Sequence, residues 1–308
     1  MKFLTYVNIC IYIFCYLFQV IYSIFRPMIK YISRLVTGRC ELSRIIASYP
    51  KGAPRTLRIE NSLRNSKNKS IQNGLLLGKC IDAKSHVRLV ISAKHIDLND
   101  QPNFPTDYLY CINQINSYWE LIDKLDASRC TAFNSDDHYH SELLSRLWIC
   151  LDSQNELSSH NGEKWTLLGF QTENPETDFR GMGILSLENL VYFAESHTKL
   201  ARSMLSASHD PNKWYPFAVT GIHLTKLSYN FMLKGHLKCL FYNMSSSASI
   251  QDFNEFYCYT FYSFHKFWTK HPRDIMQFNK YCDDFGNKLK CLLLDVNCRL
   301  CLPEDKNK

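Results

Sequence analysis

Glycine and proline are scarce in this sequence, with 11 and 10 among 308 residues. Because tight turns depend on these residue types, their scarcity argues against a sheet-rich fold with many hairpins. The hydrophobic content of 45% argues against intrinsic disorder. The chain is also long enough to build one large core or two smaller ones.

The short motifs of nucleotide and metal sites are missing as well. The sequence contains no P-loop, no GxGxxG, no GxSxG and no kinase signature. The sequence has 13 cysteines but only one CxxC motif, Cys298 to Cys301. A zinc site would need a second pair of ligands, which is missing. We therefore predict no metal and no cofactor, and we interpret the cysteines as reduced small hydrophobes in a cytosolic setting.

Positive charge is concentrated at the N-terminus. Residues 1–70 hold 12 lysines and arginines against two acids, whereas the rest of the chain holds 24 against 27. A basic body would suggest nucleic acid as a partner, but a basic arm beside an apolar stretch suggests an anionic membrane surface. The distribution predicts a membrane and no nucleic acid.

The apolar stretch covers residues 3–25 and carries no formal charge. Its 23 residues are enough to span a bilayer as a helix. A cleaved signal peptide would need a shorter apolar core and small residues at its end. A signal anchor or an interfacial helix fits better, and in either case the basic flank keeps the body on the cytosolic side. The endoplasmic reticulum is the favoured address, with mitochondrial and lipid-droplet surfaces as alternatives.

Helical spacing dominates the rest of the sequence. Residues 58–78 suit a helix or a loose arm, and 81–98 fit helix and strand equally well. Beyond them, apolar residues recur three or four apart, so the sequence predicts an all-α fold with an N-terminal membrane-associating helix and a basic arm. The predicted helices cover residues 109–122, 143–151, 187–194 with Ser186 as N-cap, 217–233, 253–268, and 275–293 with Pro272 at the helix start.

The segment NPETDFRGMG, residues 174–183, places one arginine beside two glycines. A guanidinium is permanently charged and presents its donors in a planar fork, so its catalytic use is to stabilise charge on phosphoryl oxygens in flight. Gly181 and Gly183 permit unusual backbone angles and close approach. Asp178 could hold either the guanidinium or the turn in place. Arg180 is therefore either a finger for another protein's active site or a loop residue held by a salt bridge or by hydrogen bonds to carbonyls.

The sequence around Arg180 resembles the signature of the ELMO (engulfment and cell motility) domain. TGRCELSRI (37–45) and RIENSL (58–63) also resemble the N-terminal region of the short proteins that carry a single ELMO domain. The signature itself is matched by WTLLGFQ (165–171), NPETDFRGMG (174–183) and LENLVYF (187–193), and its flanking helices by HSELLSRLWICL (140–151), FYCYTFYSFHKFW (256–268) and KLKCLLLDVNCRL (288–300).

This resemblance implies a GTPase-activating protein for Arf and Arf-like small GTPases, with Arg180 at the position of the family's proposed catalytic finger. GTP and magnesium would belong to the partner GTPase. The large ELMO scaffold proteins act as adaptors and lack that arginine, and this chain lacks their armadillo repeats and PH domain. A non-catalytic adaptor for a small GTPase or an exchange factor remains the alternative.

The resemblance also assigns domains and site residues. It covers a helical and basic region at 37–135 and the ELMO domain at 136–302. The apolar run with its basic flank adds an anchor at 1–36, and a charged tail follows at 303–308. Thr172, Asn174 and Ser186 stand where relatives often carry Gly, Asp and Gly, which bears on the loop geometry. Predicted partner-binding residues are Gln171, Pro175, Thr177, Asp178, Phe179, Gly181 and Gly183. Predicted structural residues of the motif are Trp165, Gly169, Phe170, Asn189, Tyr192 and Phe193.

Overall fold

The structure is a computed structural model that describes residues 25–76, 82–152, 164–244, 247–295, 298, 300 and 302. Its regular elements are helices, and no strand occurs within these ranges, which confirms the predicted all-α fold. The chain divides into two compact units. The first comprises Met1–Lys51 and Arg58–Ile112, and the second comprises Gly52–Leu57 and Asn113–Lys308.

Five helices supply most of the described part of the first unit. The ambiguous stretch at 81–98 forms a helix, whose N-cap Asp82 accepts a hydrogen bond of 3.1 Å from the Lys84 N–H. The described part of the stretch at 58–78 forms the end of one helix and, after a short break, a second helix, Lys69–Leu76. The helices are α1 (residues 25–37), α2 (Glu41–Ser48), α3 (Ala53–Arg64), α4 (Lys69–Leu76) and α5 (Ala83–Lys94).

The second unit contains the predicted amphipathic helices and several more. The helices are α6 (Phe104–Cys130), α7 (His138–Leu151), α8 (Lys164–Leu167), α9 (Gly183–Ser196), α10 (Thr198–Ser208), α11 (Phe217–Leu233), α12 (Lys238–Tyr242), α13 (Ile250–Thr269) and α14 (Phe278–Leu293), with 3₁₀ turns at Pro175–Gly181 and Ile275–Gln277. The first residues of α6 belong to the first unit, and those of α3 to the second.

Helix α9 lies at the centre of the second unit. It contacts α7, α10, α11 and α13 as well as the 3₁₀ turn that carries Arg180. Ten of its residues are buried, so it is apolar on nearly every side rather than along one stripe. A helix of that composition is stable only when neighbouring helices surround it. The turn before α9 is therefore attached directly to the core.

The predicted N-cap at Ser186 is wrong. Helix α9 begins earlier, at Gly183, because the Ile184 N–H already donates to the Thr131 carbonyl at 2.9 Å. Ser186 lies buried inside the first turn, and its hydroxyl donates to the Gly183 carbonyl at 2.9 Å. A backbone partner from another segment thus replaces the side-chain cap that the sequence suggested.

The predicted helix start at Pro272 is also wrong. Pro272 precedes the helical residues, and Asp274 caps the 3₁₀ turn that follows by accepting a hydrogen bond of 2.9 Å from the Met276 N–H. Asp is a strong N-cap residue. Its cap therefore determines where the helical conformation begins.

The apolar run at 3–25 lies outside the described residues except for Phe25, and so does the tail at 303–308. Within the described ranges, no helix combines the length and the apolar character that crossing a bilayer requires. The predicted N-terminal membrane helix thus remains a prediction.

Candidate functional site

The turn that carries Arg180 is a 3₁₀ helix, Pro175–Gly181, built by its own first residues. The Asn174 side chain caps it by accepting a hydrogen bond of 3.0 Å from the Glu176 N–H. The Thr177 hydroxyl donates to the Asn174 carbonyl at 3.0 Å. Pro175 adds a fixed φ at the first helical position, where a missing N–H costs nothing. Local chemistry therefore defines the start of the turn.

A row of aromatic rings holds the turn against the core. Phe179 is 1% exposed, and its ring lies 5.4 Å from that of Phe133 and 5.8 Å from that of Phe170. Phe170 in turn contacts Trp165 at 5.5 Å, and Trp165 contacts Trp148 at 5.3 Å. Aromatic pairs at such distances contribute beyond their buried area. The residue just before Arg180 is thus firmly anchored.

Asp178 holds the loop and does not hold the arginine. Its carboxylate accepts a hydrogen bond of 2.8 Å from the Gln171 N–H, which ties the turn to the loop before it. Burial raises the pKa of the Asp178 carboxyl above its usual value, and the Gln171 hydrogen bond opposes that shift. The salt-bridge interpretation of Asp178 and Arg180 is therefore not what the structure contains.

Arg180 lies exposed at the end of the turn. Among the described residues, its guanidinium has neither an ion pair nor a hydrogen-bond partner. An arginine side chain in this state keeps all its donors available for another molecule. The turn thus combines an anchored backbone with an unengaged cationic side chain.

The predicted partner-binding residues divide by burial. Gln171 and Gly181 are exposed, Thr177 and Asp178 are partly buried, and Pro175, Phe179 and Gly183 are buried. With Arg180, the first two residues form the open side of the loop. The buried ones shape the loop from below, so only part of the predicted set is accessible to another protein.

The two glycines after Arg180 have different environments. Gly183 has φ +53°, and a β-carbon there would lie 2.4 Å from the carbonyl oxygens of Arg129 and Thr131. Only glycine fits so close to another backbone with a positive φ. Gly181, in contrast, faces open space, with nothing within 4 Å of the position of a β-carbon. Gly183 is therefore a packing residue, while Gly181 leaves the surface beside Arg180 open to another molecule.

The predicted structural residues lie in the core or next to it. The loop carbonyls of Leu168 and Gly169 accept hydrogen bonds of 3.0 and 3.1 Å from the first N–H groups of α11, which has no side-chain cap. Asn189 is fully buried and donates to the Thr225 hydroxyl at 3.2 Å. The ring of Phe193 lies 5.2 Å from that of Phe261.

Sequence reasoning missed several supporting residues. Tyr192 donates a hydrogen bond of 2.6 Å to Glu255, a carboxylate from α13 that no local pattern links to the motif. Phe133 is also distant in sequence from Phe179, whose ring it contacts. The Asn174 cap could have been found, because an Asn-Pro dipeptide often initiates a turn.

No metal site is evident in the described part of the chain. Among those residues, no group of three or more His, Cys, Asp or Glu side chains is arranged to hold an ion. Of the CxxC pair, Cys298 is described and Cys301 lies outside the described residues.

Gly181→Ala is expected to leave the free energy of unfolding within about 0.5 kcal/mol of wild type, because the added methyl enters open space. The same methyl is expected to lower the affinity for any partner protein whose surface approaches the loop backbone closely. Urea unfolding and partner titration of one preparation would check both statements. A large loss of stability would contradict the open space that the structure shows beside Gly181.

Comparison with known proteins places the site within a matched region. The ELMO/CED-12 family model matches residues 123–282, which include the whole Arg180 loop. Human ELMO domain-containing protein 2 is 40% identical over 280 residues, covering 90% of this chain and 95% of that protein. ELMO domain-containing protein 1 of Pongo abelii is 34% identical over 314 residues, covering 96% and 94%. ELMO domain-containing protein B of Dictyostelium discoideum is 33% identical over 271 residues, covering 84% and 92%.

Proposed function

Because this chain belongs to the ELMO/CED-12 family, we propose that it is a GTPase-activating protein for a small GTPase of the Arf or Arf-like family. Arg180 is the catalytic arginine in this proposal and is supplied in trans. The observation that carries it is the exposed Arg180 side chain, unengaged among the described residues, on a turn anchored by Phe179 and Asp178.

The anchored turn suits transition-state stabilisation. Because the backbone of the turn is already held, only the Arg180 side chain must be ordered when the reaction occurs, which keeps the reorganisation small. The fork of a guanidinium can donate to two phosphoryl oxygens at once. An arginine buried against a carboxylate could do neither, and Asp178 is occupied by the Gln171 N–H.

In the proposed reaction this chain contributes one side chain. GTP and magnesium are held by the partner, which also orients the attacking water. Arg180 would enter the partner's site and offset the charge that develops between the β- and γ-phosphates as the bond breaks. Gly181 leaves room beside it for the partner backbone.

Attachment to the cytosolic face of a membrane is part of the same proposal. It is supported by the apolar run at 3–25, by the basic stretch that follows, and by the exposed apolar side chains of α1, among them Leu35 and Val36. An endomembrane such as the endoplasmic reticulum remains the favoured address. A body held at a membrane would meet membrane-bound GTPases at high local concentration.

The direct test is single-turnover GTP hydrolysis by a panel of purified Arf and Arf-like GTPases mixed with this protein. We expect at least one member to hydrolyse GTP about 10³-fold faster or more, the range that an arginine supplied in trans provides. If the protein binds GTPases of the panel but accelerates GTP hydrolysis by none of them, it is instead an adaptor for small GTPases.

A further inference from the structure

A cavity of about 460 Å³ lies within the first unit, apart from the Arg180 loop. It opens between α1, α2 and the helices α3 and α4, with Lys94 of α5 at its edge. Its walls mix apolar side chains with the stems and charged ends of basic ones. Its apolar wall includes Leu42 and Ile71. Its basic side chains are Arg26, Lys30, Arg34, Arg44, Lys67 and Lys94.

The cavity has an excess of positive charge. Its six cations face a single carboxylate, Glu41. Lys30 lies 2.5 Å from Glu41 and Arg26 lies 3.5 Å from it, so these two cations share that acid. Glu41 also accepts a hydrogen bond from the Ser62 hydroxyl. One acid cannot neutralise the remaining positive charge.

Three of the basic residues have no acidic partner within the described residues, namely Arg34, Lys67 and Lys94. In the described part of the chain, Arg44 is engaged by the Arg39 carbonyl alone, at 3.1 Å. Unpaired cations that share a concave wall with low-dielectric surfaces concentrate a positive potential. An anion is therefore the ligand that the cavity favours.

Helix α1 indicates which kind of anion. Arg26, Lys30 and Arg34 recur every four residues and line the cavity, so they lie on one side of the helix. Leu35 and Val36 are 67% and 80% exposed, and four more apolar side chains of α1 are about half exposed. In the sequence, the apolar run 3–25 leads directly into this helix. An apolar surface next to a basic one is typical of helices at a membrane interface.

We propose that this cavity binds the phosphate headgroup of an anionic phospholipid in the bilayer. Arg34, Lys67 and Lys94 would contact the phosphate, and the exposed apolar side of α1 would face the acyl chains. Basic pockets on the cytosolic side of membrane helices bind anionic headgroups in this way. The inference rests on the membrane attachment proposed above, and it is independent of the GTPase activity.

The apolar part of the wall favours a lipid over a free phosphate. Leu42 and Ile71 offer nothing to an inorganic anion, which is best held by hydrogen-bond donors alone. The glycerol and first carbons of a lipid would cover these side chains. The cavity volume also falls in the range of sites that bury a whole small ligand.

The test measures binding of a soluble short-chain lipid to the full chain in a non-ionic detergent. The probes are dioctanoyl phosphatidic acid, dioctanoyl phosphatidylcholine and inorganic phosphate, titrated by calorimetry. The variant is Lys67→Gln with Lys94→Gln. Its matched control is Lys69→Gln with Lys84→Gln, which removes the same charge from exposed positions of the first unit that do not line the cavity.

We expect phosphatidic acid to bind wild type and the control equally, and to bind the cavity variant about 30-fold more weakly, since each lysine near an anionic headgroup is worth about five-fold. Phosphatidylcholine should bind none of the three proteins. Arg34→Gln should also weaken binding, which keeps the test valid if the double variant loses its fold. Equal weakening in cavity variant and control would overturn the proposal, and so would inorganic phosphate that competes as well as the lipid.

Flotation with neutral phosphatidylcholine vesicles separates this inference from membrane attachment itself. If the full chain floats and the cavity variant retains phosphatidic acid affinity, attachment holds and the headgroup site is rejected. If the full chain does not float, membrane attachment is rejected. Weaker binding of phosphatidic acid by the cavity variant would then show that the cavity binds lipid in a protein that is not anchored.

Discussion

Arg180→Lys is expected to lower the acceleration of GTP hydrolysis by about 10³-fold, with little change in affinity for the GTP-bound partner. Lysine keeps the charge but loses the planar fork that can donate to two oxygens at once. The loss should fall on the rate constant of the single-turnover reaction, because the interaction forms only in the transition state. Arg180 is exposed and has no partner within the described residues, so the fold should be unaffected.

Arg146→Lys is the matched control for this variant. Arg146 lies in the same unit and forms a two-pronged ion pair with Glu195, with both nitrogen–oxygen distances at 2.7 Å. Such a surface pair contributes at most about 1 kcal/mol to stability, so hydrolysis should stay at the wild-type rate. Equal rates for Arg180→Lys and wild type would mean that Arg180 takes no part in catalysis.

Gly183→Ala is expected to lower the free energy of unfolding of the second unit by about 2–5 kcal/mol. Alanine is strained at φ +53°, and its methyl would meet the carbonyl oxygens of Arg129 and Thr131 at 2.4 Å. These are backbone atoms at the end of α6, so they cannot move aside as a flexible side chain could. Urea denaturation followed by circular dichroism would measure the loss.

Gly169→Ala should behave in the same way. Its φ is +81°, and a β-carbon would lie 2.2 Å from the Phe217 nitrogen at the start of α11. Gly181→Ala provides the contrast within the same motif, since its position is open. If all three alanine variants unfolded at the wild-type urea concentration, the packing of the loop against α6 and α11 would be refuted.

Helices with long periodic patterns could be predicted from the sequence. Helix α11, Phe217–Leu233, has the predicted bounds. An apolar pattern of that length is too long for a single strand. Helix α10, Thr198–Ser208, was missed, although its buried residues Ala201, Met204, Leu205 and Ser208 recur at helical spacing. The run at 81–98 stayed ambiguous because short apolar runs fit a helix or a strand. Ser186 failed because the Thr131 carbonyl, distant in sequence, starts α9 instead.

The candidate site was predictable in kind and not in detail. The chemistry of a lone arginine beside glycines pointed to Arg180, and the family resemblance extended this to its neighbours. The sequence could not reveal that Asp178 accepts from the Gln171 backbone, because that bond depends on the path of the loop. Nor could it separate Gly181 from Gly183, whose different environments come from the position of α6.

In the proposed function, Arg180 stabilises the transition state in a partner's active site. The most direct test compares affinities for the partner bound to GDP with and without aluminium fluoride, which mimics the phosphoryl group in flight. We predict that wild type binds the aluminium fluoride form at least about 10²-fold more tightly than the GDP form, and that Arg180→Lys loses this preference. Equal preference in wild type and Arg180→Lys would contradict the proposed role, because Arg180 would then take no part in recognising the phosphoryl group in flight.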